Sequence, residues 1–184
     1  MGRYESAARE AFDDGWGSIE EVLEEKGPKT QVTPEHPRRI ITRNNSPDIG
    51  FDRSLNPYQG CEHGCIYCYA RPTHAYNGLG AGLDFETRIF SKPSAPDLLR
   101  RELSARNYQP ATLVIGANTD AYQPIEQRLR ITRGVLEVLE EFGHPTGIIT
   151  KGRGIVRDLD LLAAMAERDL VRVAVSVTTL RAEL

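Results

Sequence analysis

The stretch ATLVIGANTD, residues 111–120, is the most informative part of this chain for the fold, because an apolar run passes directly into small polar residues. A short continuous apolar run is typical of a strand that is buried on both faces of a parallel sheet. In such sheets, ligands bind beyond the carboxyl ends of the strands. We therefore expect the polar residues of 116–120 at one edge of a sheet, beside a site.

The same pattern repeats towards the C-terminus. Residues 146–150 and 171–177 are two further predicted strands, and they run into the polar sequences TKGRG and SVTT. Helices are predicted between these strands, over 126–142 and 158–168. A third helix, over 96–106, is predicted before the strand at 111–115. Strands that alternate with helices predict an α/β fold with a parallel sheet.

The N-terminal half has a weaker pattern. A short strand is predicted over 51–58 and an extended segment over 85–93, whereas the proline-containing residues 29–39 are predicted to be an irregular linker. Ser18 and Glu21 have capping-box spacing, which predicts a helix over 19–26. The predicted organisation is an acidic arm and linker over 1–45 and a core over 46–184. The last strand has no following helix to cover it, and we expect the chain to be the front part of a longer protein.

Composition and charge narrow the class of protein. The chain has 184 residues, a length that suits one domain, and 40% of them are hydrophobic. No apolar run approaches the roughly 20 residues of a membrane span, and the N-terminus does not resemble a secretory signal, so we expect a cytoplasmic protein. The net charge of −3 comes from residues 1–30, which have eight acidic and four basic side chains. The nearly neutral remainder gives no sign of nucleic-acid binding.

All three cysteines of the chain, Cys61, Cys65 and Cys68, lie in the segment GCEHGCIYCYARPTHAY, residues 60–76. A disulfide would leave one of them over, and a cytoplasmic protein is expected to keep its thiols reduced. Three thiolates can instead bind three irons of a [4Fe–4S] cluster, since cysteine is the usual cluster ligand. The fourth iron would then be open to a substrate or cofactor.

A zinc site is the alternative to a cluster. The three thiolates and one histidine, His63 or His74, could complete a tetrahedron. Zinc sites usually have two separated pairs of ligands, which the C-x3-C-x2-C spacing does not provide. This alternative predicts a non-catalytic, zinc-stabilised binding module that associates with nucleic acid. Tyr58, Tyr69 and Tyr76 surround the triplet and are predicted to shield the site from water.

The C-x3-C-x-Tyr-C motif, on the loop after the first strand of an α/β repeat, resembles the signature of the radical S-adenosylmethionine (SAM) superfamily. The resemblance extends from about residue 50 to the C-terminus. It implies a [4Fe–4S] cluster on the three cysteines, SAM bound through its amino and carboxylate groups, and reductive cleavage of SAM to a 5′-deoxyadenosyl radical. It also implies a TIM-like partial (βα)6 barrel, of which this chain covers the first four units, and a flavodoxin- or ferredoxin-type electron donor.

Within the superfamily, the sequence is most similar to the spore photoproduct lyase branch and its uncharacterised bacterial relatives. Tyr67-Cys68-Tyr69 matches the Tyr-Cys-Tyr of that branch. Thr119 and Lys151 stand where the branch holds the methionyl part of SAM. A hydroxyl and an ammonium group at neighbouring strand ends can bind the zwitterionic end of an amino acid.

Further contacts to SAM are implied for Asn118, for Ser176 with the carboxylate or ribose, and for Tyr67 near the adenine. Asn118 and Asp120 could instead bond to their own backbone in the turn. The catalytic residue is not identified by the sequence, and Tyr67 and Tyr69 are the candidates.

One departure from the branch concerns the substrate. Spore photoproduct lyase uses a further cysteine near the position of Thr119 to return a hydrogen atom, and this chain has Gly116-Ala117-Asn118 there and no fourth cysteine. Reversal of DNA lesions by that route is therefore not expected. The resemblance implies the cofactor chemistry but does not identify the substrate.

Overall fold

The computed structural model describes residues 29–180, so the helix predicted over 19–26 lies outside the described part. The strands are β1 (Gln31–Pro34), β2 (Thr42–Arg43), β3 (Arg53–Leu55), β4 (Tyr58–Gln59), β5 (Arg88–Ser91), β6 (Leu113–Ile115), β7 (Thr146–Thr150) and β8 (Val171–Val175). The α-helices are α1 (Leu83–Thr87), α2 (Ala95–Leu103), α3 (Glu126–Leu129), α4 (Ile131–Glu141) and α5 (Leu159–Ala166). Two 3₁₀ helices span Arg71–Asn77 and Arg153–Asp158.

The larger sheet has five strands in the order β2-β3-β6-β7-β8. The last four are parallel and follow chain order, whereas β2 is antiparallel to β3. The predicted α/β fold with a parallel sheet is therefore confirmed. The loops that follow β6, β7 and β8 leave the sheet at its carboxyl edge, where a site was expected.

A smaller sheet has the order β1-β5-β4. The prediction of an irregular linker over 29–39 is wrong for residues 31–34, because β1 pairs in parallel with β5, beginning at Gln31 opposite Arg88. The extended segment predicted over 85–93 is correct only in part, since α1 occupies its first residues and β5 follows. The domain division at residue 45 stays a prediction.

The core lies between the larger sheet and the helices α2, α4 and α5. It is formed by apolar side chains with little or no exposed surface, including Leu99, Leu113, Ile115, Val135, Leu136, Leu139, Ile148 and Met165. The apolar side chains of α4 are thus buried on the face of the helix that meets the core.

That helix is not continuous, which corrects the prediction of one helix over 126–142. Arg130 adopts a left-handed conformation with φ of 53° and separates α3 from α4. The buried carboxylate of Glu126 accepts a hydrogen bond from the backbone N–H of Thr132 at 3.1 Å and another from the hydroxyl of Tyr58. This side chain satisfies the start of α4 and so permits the break.

The strand β8 forms one end of the larger sheet, and its side chains are mostly exposed. Val173 and Val175 expose 42% and 57% of their surface. Within residues 29–180, no helix is both long and apolar enough to cross a membrane.

Candidate functional site

The cysteine loop, residues 60–77, follows β4 and is fastened at both ends. At its start the N–H of Cys61 donates to the carbonyl oxygen of Phe85 at 2.9 Å, and Gly60 has a φ of 81° that permits this close approach. Further along, Arg71 donates to the carbonyl oxygen of Cys65 at 2.9 Å and pairs with the buried carboxylate of Glu86. The loop is thus held by the body of the protein.

A cavity of about 340 Å³, called the cysteine cavity below, opens between this loop and the carboxyl edge of the larger sheet. The predicted site residues on its lining are Cys61, Cys65, Tyr67, Cys68, Tyr69, Asn118, Thr119, Lys151 and Ser176. The structure therefore brings all the predicted metal and cofactor residues to one cavity, while their individual roles stay predictions.

The three cysteines are free thiols. Cys61 is buried, and burial raises its pKa to about 12, whereas Cys65 and Cys68 are partly exposed. Among residues 29–180, no three histidine, cysteine, aspartate or glutamate side chains are arranged to hold a single metal ion.

Lys151 joins the loop after β7 to the cysteine loop. Its Nζ donates to Cys65 Sγ at 3.0 Å and to the hydroxyl oxygen of Tyr67 at 2.8 Å, and it lies 4.9 Å from the centre of the Tyr67 ring. Burial alone would lower the pKa of Lys151, but the hydrogen bonds to Cys65 and Tyr67 outweigh it and raise the pKa. The cavity therefore contains a permanent positive charge beside a thiol.

The sequence suggested that Thr119 binds a cofactor, but in the structure its side chain bonds to the protein's own backbone. Its hydroxyl donates to the carbonyl oxygen of Tyr58 at 2.7 Å, and only 2% of the residue is exposed. The N–H groups of Asn118 and Thr119 both donate to Asn56 Oδ1, at 2.9 and 3.4 Å. The sequence did not indicate Asn56, because nothing in it pairs an asparagine after β3 with the end of β6.

Asp120 connects three segments of the site. Its Oδ1 accepts from Tyr122 N at 2.8 Å and from Thr150 Oγ1 at 2.6 Å, and its Oδ2 accepts from Lys151 N at 2.8 Å. His63 Nε2 of the cysteine loop lies 3.5 Å from Oδ2. Burial would raise the pKa of Asp120, but the nearby His63 and the hydrogen bonds from Lys151, Thr150 and Tyr122 lower it. The predicted bond to its own backbone is confirmed at Tyr122, and the links to β7 were missed.

The two histidines of the cysteine loop lie in different environments, and Tyr69 faces the cavity. His63 lines the cysteine cavity, whereas His74 is fully buried against Phe85 and Phe90 with Nε2 bonded to a backbone carbonyl oxygen at 2.9 Å. Tyr69 lines the cavity and donates to the carbonyl oxygen of Ala117.

Two of the tyrosines predicted to shield the site do not line it. Tyr58 is buried and bonds to Glu126, and Tyr76 is 89% exposed. The prediction is wrong for both, because it was based on distance along the sequence and not on the direction of the side chain.

The donor set of the cysteine cavity fits an iron–sulfur cluster. Three free thiols from one loop face a common space, and the positive charge of Lys151 lies beside Cys65. Cysteine thiolates are the usual ligands of such clusters. Beyond the thiols, the cavity is lined by polar side chains from the ends of β6, β7 and β8, which offer contacts to a second group.

The sequence profile of the radical SAM superfamily matches residues 55–184, which is more than half of the chain. The chain therefore belongs to the radical SAM superfamily. The match begins at the end of β3 and includes the cysteine loop and all the lining residues of the cysteine cavity.

Similar curated proteins come from bacteria and an archaeon, and each carries the description "uncharacterized protein". Relatives from Mycobacterium bovis and Mycobacterium tuberculosis are 40% identical over 133 residues, which is 72% of this chain and 39% of theirs. A relative from Methanocaldococcus jannaschii is 29% identical over 107 residues, 58% of this chain and 38% of its own. The chain thus spans about two fifths of the length of these relatives. No solved structure matches it significantly.

Proposed function

We propose that this chain is the cluster-binding part of a radical SAM enzyme, with a [4Fe–4S] cluster on Cys61, Cys65 and Cys68. The observation that supports this most directly is the convergence of three free thiols with Lys151 in one cavity at the carboxyl edge of a parallel sheet. When bound, the cluster and SAM supply one-electron cleavage of SAM to methionine and a 5′-deoxyadenosyl radical.

The residues of the chain would bind and orient the cofactor. Lys151, as a cation, would attract the SAM carboxylate, and Ser176 would add a hydroxyl for the carboxylate or ribose. Thr119 would act as a hydrogen-bond acceptor, since its proton is donated to Tyr58. Asn118 would contribute an amide, and Tyr67 an aromatic face for the adenine.

Exclusion of water is a second task of the loop. Tyr67 and Tyr69 project at the mouth of the cavity, 66% and 74% exposed, and would cover bound SAM. They are also the candidates for a direct part in the reaction, as groups beside the bound cofactor.

The branch of the superfamily and the type of barrel are also proposals. We infer membership of the spore photoproduct lyase-like branch from Tyr67-Cys68-Tyr69, and a partial (βα)6 barrel from the four parallel strands β3, β6, β7 and β8 in chain order. The enzyme would work in the cytoplasm with a flavodoxin- or ferredoxin-type reductant. The hydrogen-returning cysteine of that branch has no counterpart at the matching position, where this chain has Gly116-Ala117-Asn118.

Metal analysis of anaerobically reconstituted protein tests the proposal. We expect about four irons and four sulfides per chain, and a loss of most of both when Cys65 is replaced in Cys65→Ala. Replacement of the buried Cys61 or of Cys68 should have the same effect. Stoichiometric zinc without sulfide would contradict the proposal and support the zinc-stabilised module instead.

A further inference from the structure

A second cavity, of about 540 Å³, lies beside the cysteine cavity and, among residues 29–180, shares only His63 with it. Its walls come from the loop after β6 and from the 3₁₀ helix after β7. The volume is in the range of small-molecule sites. None of the residues predicted to hold the cluster or SAM lines it, so the proposed function leaves this cavity unexplained.

The charge of this second cavity is set by Arg153. Arg157 also lines it, but its guanidinium is neutralised by Glu126 at 2.9 Å and by Asp158 at 2.8 Å. Among residues 29–180, Arg153 has neither an ion pair nor a side-chain hydrogen bond, and the side chain is exposed at the cavity. The cavity therefore presents one uncompensated positive charge with five N–H donors.

Two polar atoms deeper in the cavity have no well-formed hydrogen bond. His63 Nε2 and Tyr122 Oη are buried near Asp120 and Asp158, respectively, but within the described residues neither makes a hydrogen bond with acceptable geometry. Burial and the nearby charge of Asp158 raise the pKa of Tyr122, so its hydroxyl keeps its proton and is a donor. Buried polar atoms are nearly always hydrogen-bonded, and two such atoms on one cavity wall indicate a bound polar group.

We propose that the second cavity binds a small organic oxyanion, with its carboxylate or phosphate on Arg153 and its polar body on Tyr122 Oη and His63 Nε2. A planar guanidinium binds the two oxygens of either group in a fork, which explains why the charge is an arginine. Gln127, whose exposed amide also lines the cavity, would contact the same ligand from the rim. This inference does not rest on the proposed function, because it requires neither the cluster nor SAM.

The test is a nuclear magnetic resonance titration of the full 184-residue chain, prepared without cluster, with malonate in one series and inorganic phosphate in the other. The amide signals of Gly152 and Gly154, which line the cavity, report on the site. We expect saturable shifts of both signals with at least one probe, and the probe that saturates tells a carboxylate site from a phosphate site.

Three variants make the result specific. Arg153→Gln should weaken binding of that probe at least about tenfold, because the charge-assisted fork is lost, and Arg153→Lys should recover part of it. Arg106→Gln removes an exposed arginine elsewhere on the surface and should leave the affinity unchanged. The proposal is overturned if neither probe saturates, if Arg153→Gln binds as tightly as the parent, or if saturable shifts occur only in the cysteine cavity at Thr119 and Lys151.

Discussion

Lys151 is the residue at which the predicted site can be tested most directly. Its Nζ lies within hydrogen-bond distance of Cys65 Sγ and Tyr67 Oη, yet it is not a metal ligand. A substitution there separates the binding of SAM from the binding of the cluster, because no thiolate is lost.

We expect Lys151→Ala to keep its iron content and to bind SAM more weakly by about 1.5–3 kcal/mol, the range for a hydrogen bond to a charged group. This corresponds to a loss of roughly 10- to 100-fold in affinity. Thr119→Ala should lose less, about 0.5–1.5 kcal/mol, because a neutral hydroxyl is removed. The measurement is a SAM titration of the reconstituted protein, followed by the electron paramagnetic resonance signal of the reduced cluster.

The matched control is Lys29→Ala, which removes an exposed lysine outside the cavity. Unchanged SAM affinity in Lys151→Ala would refute the assignment of the strand-end contacts. The cluster assignment would survive that result, since it depends on the three cysteines.

At this scale, the sequence predicted the side chains that face the cavity better than those that support them. The cysteines and Lys151 could be found because a motif or a strand end marks them. Asn56 and the β7 links of Asp120 could not, because their partners are backbone and hydroxyl groups far away along the chain. Such bonds exist only after the strands have paired.

At the scale of the secondary-structure elements, Gly116 directly follows β6 and lies against the backbone of β7. This residue follows β6 with a φ of 82°, and a Cβ atom there would lie 2.3 Å from the carbonyl oxygen of Ile149. The obstacle is backbone in the next strand, so neither a rotamer change nor a small shift can relieve it.

We expect Gly116→Ala to lower the free energy of unfolding by at least about 2 kcal/mol, because left-handed strain of about 1–2 kcal/mol adds to the clash with the strand. Urea denaturation of the parent and variant measures the difference. Gly50→Ala is the control, since a Cβ atom at Gly50 has no neighbour within 4 Å. Equal loss of stability in the two variants would contradict the argument.

The elements also show where periodicity predicts structure and where it fails. Residues 111–115 were predicted as a strand and contain β6, because a buried parallel strand has a continuous apolar run. The break at Arg130 was missed, since its cause is the carboxylate of Glu126 and not the apolar pattern. The strand β1 was missed because its partner β5 is distant in sequence and its own side chains are mostly exposed.

In the molecule as a whole, the two edges of the larger sheet have different environments. The carboxyl edge carries both cavities, whereas His144 lies at the amino edge, before β7, and is 3% exposed. Its Nε2 accepts a hydrogen bond from the hydroxyl of Tyr108 at 2.7 Å, and its Nδ1 bonds to the carbonyl oxygen of Pro145 at 3.0 Å. Burial, aided by the charge of Arg53, lowers the pKa of His144 despite the bond to Pro145.

This environment predicts a pH dependence of stability. The unfolded chain binds a proton on His144 at a higher pH than the folded protein does. The contribution of neutral, buried His144 to the free energy of unfolding is therefore complete above about pH 6.5 and is lost as the pH falls below that value. We expect the urea midpoint of the parent to decrease between pH 7 and pH 5 by more than that of His144→Gln. His36→Gln, which alters an exposed histidine, should behave as the parent does. An identical decrease in His144→Gln would show that other groups cause the acid sensitivity.

The contact between Lys151 and Cys65 also has a consequence for biosynthesis. The two residues are 86 positions apart, so the cysteine loop leaves the ribosome well before the lysine. At about 5–20 residues per second, that delay is roughly 4–17 s, during which the thiols have no partner from β7. Any occupant of the cavity that requires Lys151 therefore enters only after β7 has been synthesised, and until then the nascent thiols are open to oxidants and to competing metal ions.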